Sequence, residues 1–360
     1  MPSLERSGPQ PPNGSIGGST TGPAGRTGRP PTIDDVARLA NVSRQTVSNV
    51  LNGRRAYFSP DTLSRVNAAI EVLGYRPNRA AQTLRSQRSM QLGYHMSGEE
   101  LESVKGFTLR FLQALIKSAA RQGYQVVVFT HNDEDPLGVF KELIARRNVD
   151  ALIVTESQVD DPRVAFLAAE RVPFASFGRL ADHLPQQWVD VDNVVGMTEL
   201  VDYLVTTGYR RYAYAGAQGN EYWKQERLQG FRQGLRRHGI EVDDGDVFRG
   251  SDEEVRDWVR RLLTGGDRPD VIVTSSDSIA AIAVNVSHAL GLRTGVDVAI
   301  TGFDGGAIGL LTEPTLTSVR IPVERIAAEL ITRCLVEIDG GPTGQPGTLI
   351  PTEIVMGGSA

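Results

Sequence analysis

The sequence predicts an α/β fold with a small all-helical head: three short helices, then a body of two parallel-sheet α/β subdomains. Three observations predict it. From residue 91 onward, apolar runs of four to six residues alternate with longer stretches of helical periodicity, the pattern of βαβ units. Residues 32–74 instead show helical stripes with no strand-like run. The charge divides at the same place. The first 90 residues hold twelve arginines against five carboxylates, net +7, whereas the whole chain is −5, leaving −12 for the remainder. A basic head on an acidic body suits a polyanion-binding module joined to a domain that does not bind polyanions.

Composition excludes several other classes. The chain has 360 residues, 40% hydrophobic and 22% charged, enough for a sizeable core. A single cysteine, Cys334, rules out an intramolecular disulfide and a multi-cysteine zinc site; its apolar helical setting suggests a small buried hydrophobe. No run approaches the roughly 18 apolar residues of a membrane helix. The opening residues carry no apolar segment behind a basic one, so no signal peptide is expected and the expected location is the cytoplasm.

Residues 1–30, rich in Pro, Gly, Ser and Thr, read as a disordered tail. Residues 31–76 form the head. Thr32 caps a first helix whose apolar face is Ile33, Val36, Ala37 and Ala40, with Asp34 and Asp35 at its positive end. Asn41-Val42-Ser43 is a turn. The second helix buries Val47, Val50 and Leu51, which leaves Arg44, Gln45, Ser48 and Asn49 on the exposed face. Arginine can donate twice to guanine in the major groove, and Gln or Asn can pair with adenine. Ser59-Pro60 opens a third helix through Leu63, Val66, Ile70 and Leu73, and Gly74 stops it. Residues 77–90 read as a linker with a helix of about two turns, too short to be stable alone.

In the body, strands are expected at Val126–Phe129, Ala151–Val154, Phe174–Phe177, Tyr212–Ala215, Val271–Val273 and Val298–Ile300. Helices are expected at Leu109–Arg121, Leu137–Arg146, Val194–Thr206, Glu226–Arg237, Asp252–Leu263 and Ser278–Ala289. A break falls near 178–190. Gly123-Tyr124 and Gly208-Tyr209 each end a helix with a glycine cap covered by a tyrosine.

The head resembles that of the LacI/GalR family of bacterial transcriptional regulators. The resemblance rests on Thr32-Ile33-Asp34-Asp35-Val36-Ala37, on Val42 through Asn52, and on Ala69 through Asn78. Two departures are Asn41, where the family usually has glycine, and the bulky Tyr57-Phe58 before Ser59. The resemblance implies a helix-turn-helix reader in which Arg44, Gln45 and Asn49 contact bases, while Ser43, Thr46, Ser48 and Asn52 hold the DNA backbone. It also implies a hinge helix containing Asn78, Ala81 and Leu84. That helix would enter the minor groove beside its two-fold mate, Leu84 wedging between base pairs.

The body, about residues 91–355, resembles the periplasmic-binding-protein-like fold of the same family. Supporting stretches are Asp190-Val191-Asp192-Asn193, Arg227-Leu228-Gln229-Gly230-Phe231 and Thr301-Gly302-Phe303-Asp304. The implied boundaries are about 91–190 with 322–343 for the first subdomain, and about 191–319 with 344–355 for the second. The cleft between them is expected to take a small effector, a saccharide foremost. Arg227 and Asp304 are its implied polar contacts, with Ser276 where the family usually has asparagine. Trp223, four residues before Arg227, suits a stacking platform. Phe107 and Trp188 are further candidates, followed by Tyr222, and His95 is placed to enter the cleft. Asp277 is expected to cap the following helix.

The implied activity is sequence-specific binding of a palindromic operator by a homodimer, as a repressor released by its effector. Alternatives are a ligand acting as corepressor, a non-sugar metabolite such as a purine, or a solute-binding protein with no DNA role. No catalytic motif is present and no cofactor or metal is expected.

Overall fold

The computed structural model describes residues 29–51, 58–76, 88–96, 106–130, 135–158, 160–179, 187–340 and 347–360. Most of the expected tail, Asn52 and the hinge residues Asn78, Ala81 and Leu84 lie outside the described residues. The chain divides into two compact units, 1–82 and 83–360.

The head has three helices: α1 (Ile33–Leu39), α2 (Arg44–Leu51) and α3 (Pro60–Leu73). Thr32 and Asp35 form a reciprocal capping box at the start of α1. Asn41 takes φ +50, the left-handed turn that either asparagine or glycine tolerates. Ser59 caps α3, with Pro60 in its first turn and Gly74 left-handed at its end. Val36, Val47 and Val66, one from each helix, are fully buried and form the centre of a small core.

The body opens with β1 (Gln91–His95), α4 (Gly106–Arg121), β2 (Gln125–Phe129), α5 (Gly138–Ala145), β3 (Ala151–Val154), α6 (Pro162–Ala169), β4 (Phe174–Phe177) and β5 (Gln187–Val191). There follow α7 (Asn193–Thr207), β6 (Tyr212–Ala217), α8 (Tyr222–Arg237), β7 (Val247–Gly250), α9 (Asp252–Thr264), β8 (Val271–Thr274) and α10 (Asp277–Ala289). The chain ends with β9 (Ala299–Asp304), α11 (Ala307–Leu311), β10 (Thr317–Arg320), α12 (Val323–Ile338), β11 (Gly347–Ile350) and β12 (Glu353–Val355).

Among the described residues the strands form two six-stranded sheets, ordered β11-β5-β4-β3-β1-β2 and β12-β10-β9-β8-β6-β7. All pairs are parallel except β10 with β12. The chain passes between subdomains three times: after β5, after β10 (α12 packs on β3, β4 and β5) and between β11 and β12. The last crossing differs from expectation. Residues 347–350 pair with β5 in the first sheet, and only 353–355 join the second. The reason is tertiary: Gly347 lies so close to the Trp188 ring that an added Cβ would collide with it, so the strand docks where a bare backbone fits. Cys334 is buried on α12.

The contact that positions the cleft is between α7 and α8. Gly230 and Gly234, one turn apart, bring α8 against the Val194 backbone and the Val201 side chain, where any Cβ would clash. This close approach brings Arg227 on α8 within reach of Asn193 at the start of α7.

Candidate functional site

On the head, Ser43 opens α2, its Oγ accepting the Thr46 N–H at 3.0 Å. Arg44 and Gln45 are exposed and Asn49 is half-buried. Gln45 Nε2 donates to Asn49 Oδ1 at 3.2 Å, one turn apart. Arg44 approaches Asp34 only at 3.7 Å, with both side chains more than half exposed, so the guanidinium is available to an anion. The first turn of α2 contains no acidic residue, which leaves its positive end open to phosphate. Ser48 corrects the expectation: it is 4% exposed, on the packed side beside Val47, and does not belong to the exposed face.

The cleft of the body holds a cavity of about 210 Å³, lined from both subdomains. Arg227 lies at its base, 4% exposed. Its Nε donates to Asn193 Oδ1 at 3.0 Å, and its Nη1 donates to Ser275 O at 2.6 Å and to Asp304 Oδ1 at 3.2 Å. The guanidinium sits 3.7 Å from the Phe303 ring centre and 4.5 Å from that of Trp223. The Asn193 amide is itself oriented, its Nδ2 donating to Glu226 Oε2 at 3.0 Å. A cation this enclosed requires such partners.

Asp304 ends β9 at φ +120, a backbone conformation that side chains rarely adopt, held by the neighbouring strands. Burial pushes its carboxyl up to about 7; Arg227 opposes the rise and Asp277 adds to it. Asp190, on the first subdomain's β5, is also raised to about 7, by burial and by Glu226, although it accepts the N–H groups of Val191 and Arg179.

Of the expected cleft residues, the structure gathers Arg227, Asp304, Ser276, Trp223 and Phe107 around the cavity. Trp188 is not among them: it packs with the Phe140 cluster and over Gly347. Tyr222 does not line the cavity either. His95 is 1% exposed, enclosed by Phe129 and Phe140, with Nδ1 accepting from Arg163 at 3.0 Å. Ser276, not Asp277, caps α10, accepting the Ile279 N–H. Asp277 is buried and instead accepts from Gly306 N–H and Ser318 Oγ, tying the loop after β9 to β10. Gly302 leaves the space that its carboxylate occupies.

Sequence reasoning did not single out Asn193, Asp190, Glu156 or Gln218 as cavity residues. The first two lie in a stretch already notable for its family likeness. Nothing local marks Glu156 or Gln218.

Residues 32–78 match the LacI family of bacterial regulatory proteins, and residues 201–360 match the periplasmic binding protein-like domain. The HTH-type transcriptional regulator CelR of Thermobifida fusca is 33% identical over 334 residues, covering 89% of this chain and 96% of that protein. The ribose operon repressor of Escherichia coli K12 is 26% identical over 329 residues, covering 90% and 98%. Among solved structures, a CelR–cellobiose complex aligns with TM-score 0.70 and 28% identity, covering 92% of this chain and all of that one. The lac repressor dimer bound to operator and the anti-inducer ONPF aligns with TM-score 0.75 and 26% identity, covering 92% and 99%. No helix of the described residues is long and apolar enough to cross a membrane. A basic three-helix reader followed by a two-sheet cleft domain, matched along nearly the whole chain, identifies this protein as a member of the LacI family, a DNA-binding transcriptional regulator and not an enzyme.

Proposed function

We propose that this regulator is a repressor that binds a palindromic operator as a homodimer and is released when a neutral saccharide occupies the cleft. The observation that carries the effector class is the buried Arg227, fixed between Asp304, Asn193 and the faces of Trp223 and Phe303. Its charge is already balanced by Asp304. Among the described residues, four carboxyls, Glu156, Asp190, Asp252 and Asp304, line the cavity against this one guanidinium. Such a site accepts hydroxyl donors and repels phosphates and sugar acids. The indole supplies an apolar face for the C–H side of a pyranose. At about 210 Å³ the cavity lies below the roughly 300–1,000 Å³ of drug-sized sites, so it suits one sugar ring, with further rings reaching the mouth. Two similar proteins support the same reading, one solved as a CelR–cellobiose complex and one a ribose operon repressor.

On the DNA side, Arg44, Gln45 and Asn49 read bases, while Ser43, Thr46 and Asn52 hold phosphates. Asn78, Ala81 and Leu84 form the minor-groove hinge. Two heads related by a dimer axis match two half-sites. The protein acts in the cytoplasm, on the nucleoid.

The test is recovery and sequencing of genomic fragments bound by the purified protein, with an R44A/Q45A control, followed by titration with neutral saccharides. An imperfect palindrome that is lost in the control and released by saccharide supports the reading. Tighter binding on titration reverses the sign and makes the ligand a corepressor. An L84A variant sharpens the hinge assignment: operator affinity falls far more than affinity for random DNA, and equal losses refute it.

A further inference from the structure

Glu156 has two distinct surroundings for its two carboxylate oxygens. Oε2 accepts the Trp223 indole N–H at 3.0 Å, a bond from the first subdomain to α8 of the second. Oε1 has no hydrogen bond from the described residues, and Glu156 lines the effector cavity. The residue takes φ +53, a conformation that needs outside support.

Arg163 supplies that support. It is paired with Asp161 and donates Nη2 to the carbonyls of Thr155 and Glu156 at 3.0 and 3.2 Å. Ser157 Oγ donates to Arg179 O. Two backbone contacts continue the bridge: Tyr222 N–H donates to Ser157 O, and Gln158 pairs antiparallel with Glu221.

We infer that Glu156 is an effector-binding residue. Its Oε2 holds the Trp223 platform in place, and its Oε1 accepts a hydroxyl of the bound saccharide. The ligand is then gripped by a carboxylate of the first subdomain and by Arg227 and Asp304 of the second. Binding and closure across the cleft become one event, and a saccharide lacking that hydroxyl is discriminated against. This rests on the saccharide reading above.

The test has a ligand-free arm and a titration arm. The chain contains three tryptophans, so the indole N–H of Trp223 can be identified in the ¹⁵N spectrum of the full-length protein by its loss in W223F. That resonance shifts in E156A and stays near its wild-type position in E156Q, whose amide oxygen still accepts. In calorimetric titration with cellobiose, glucose, maltose and sucrose, E156A weakens the wild-type ligand by about tenfold to a hundredfold, the range of a lost hydrogen bond to a charged group. E156Q recovers part of that loss. An unmoved indole resonance in E156A, or wild-type saccharide affinity in E156A, overturns the inference and leaves the saccharide reading standing. Failure of the wild-type protein to bind any of the four sugars overturns that reading and this inference with it.

Discussion

The head and the cleft solve recognition in opposite ways. In the head, the reading residues lie within six positions on one helix. Arg44 and Gln45 are exposed, and the core behind them is a separate set of apolar residues. In the cleft, Asn193, Trp223, Arg227 and Asp304 come from three elements spread over more than a hundred positions. Arg227 is both a binding group and a buried structural one. An exposed reader can change specificity at little cost to the fold. A buried one cannot, because its partners lose a hydrogen bond where water cannot replace it.

Substitutions should expose this contrast, the largest in the cleft. R227A removes the cation beside the largely buried Asp304 and the donor to Asn193 Oδ1. A loss of about 3–5 kcal/mol of stability is expected together with loss of the saccharide response. Thermal melting and titration check both, and an unchanged response removes Arg227 from the pocket. R44A/Q45A is the opposite case. Operator affinity drops by about a hundredfold or more, at roughly 1–3 kcal/mol per base contact, with melting unchanged. Fluorescence anisotropy against selected and random DNA measures it, and a lowered melting point would break the contrast.

Protonation gives a smaller effect. Asp304 and Asp190 have carboxyls raised to about 7, so the folded state keeps protons that the unfolded chain releases near 4. These two groups therefore lower stability as pH rises from about 4 to about 7, and change it little above. Saccharide affinity runs the other way, because the ionised carboxylate is a stronger acceptor for a hydroxyl than the protonated acid. It rises up to about tenfold between pH 6 and 8. A flat profile by calorimetry would remove both carboxyls from ligand binding. The smallest effect is local: T32A removes one half of the α1 capping box and costs about 1 kcal/mol in the head.

Much of this was legible in the chain itself. The strand at Ala151–Val154 begins and ends where its apolar run does, because a parallel strand buried on both faces is near-continuously apolar; Phe174–Phe177 follows the same pattern around one small buried serine, Ser176. The helix starts at Thr32 and Ser59 and the stop at Gly74 were readable because capping depends on neighbours three residues away. Strands β5, β7, β10, β11 and β12 were not. They mix polar residues such as Arg249, Thr317 and Glu353 into short edge or inter-subdomain segments, and their identity depends on which sheet receives them. The side of α2 occupied by Ser48 was misread because serine carries too little hydrophobicity to declare a face. Trp188 was misread because a large aromatic suits a cleft wall and a core equally well.

The sequence alone determined the order of elements, the charge division between head and body, the capping and turn residues, and the pairing of Trp223 with Arg227 on one helix face. Each follows from interactions between residues a few positions apart, or from a composition that needs no partner. Tertiary structure decided which polar groups share the cavity. Asn193 reaches Arg227 only because Gly230 and Gly234 let α7 and α8 touch, and Asp277 fits only because Gly302 leaves room. Glu156 meets Trp223 from across the cleft, its loop held by Arg163 through the Glu156 carbonyl and joined to the start of α8 by the Ser157–Tyr222 backbone bond. Contacts between residues tens of positions apart depend on the packing of whole elements, and no local pattern encodes them.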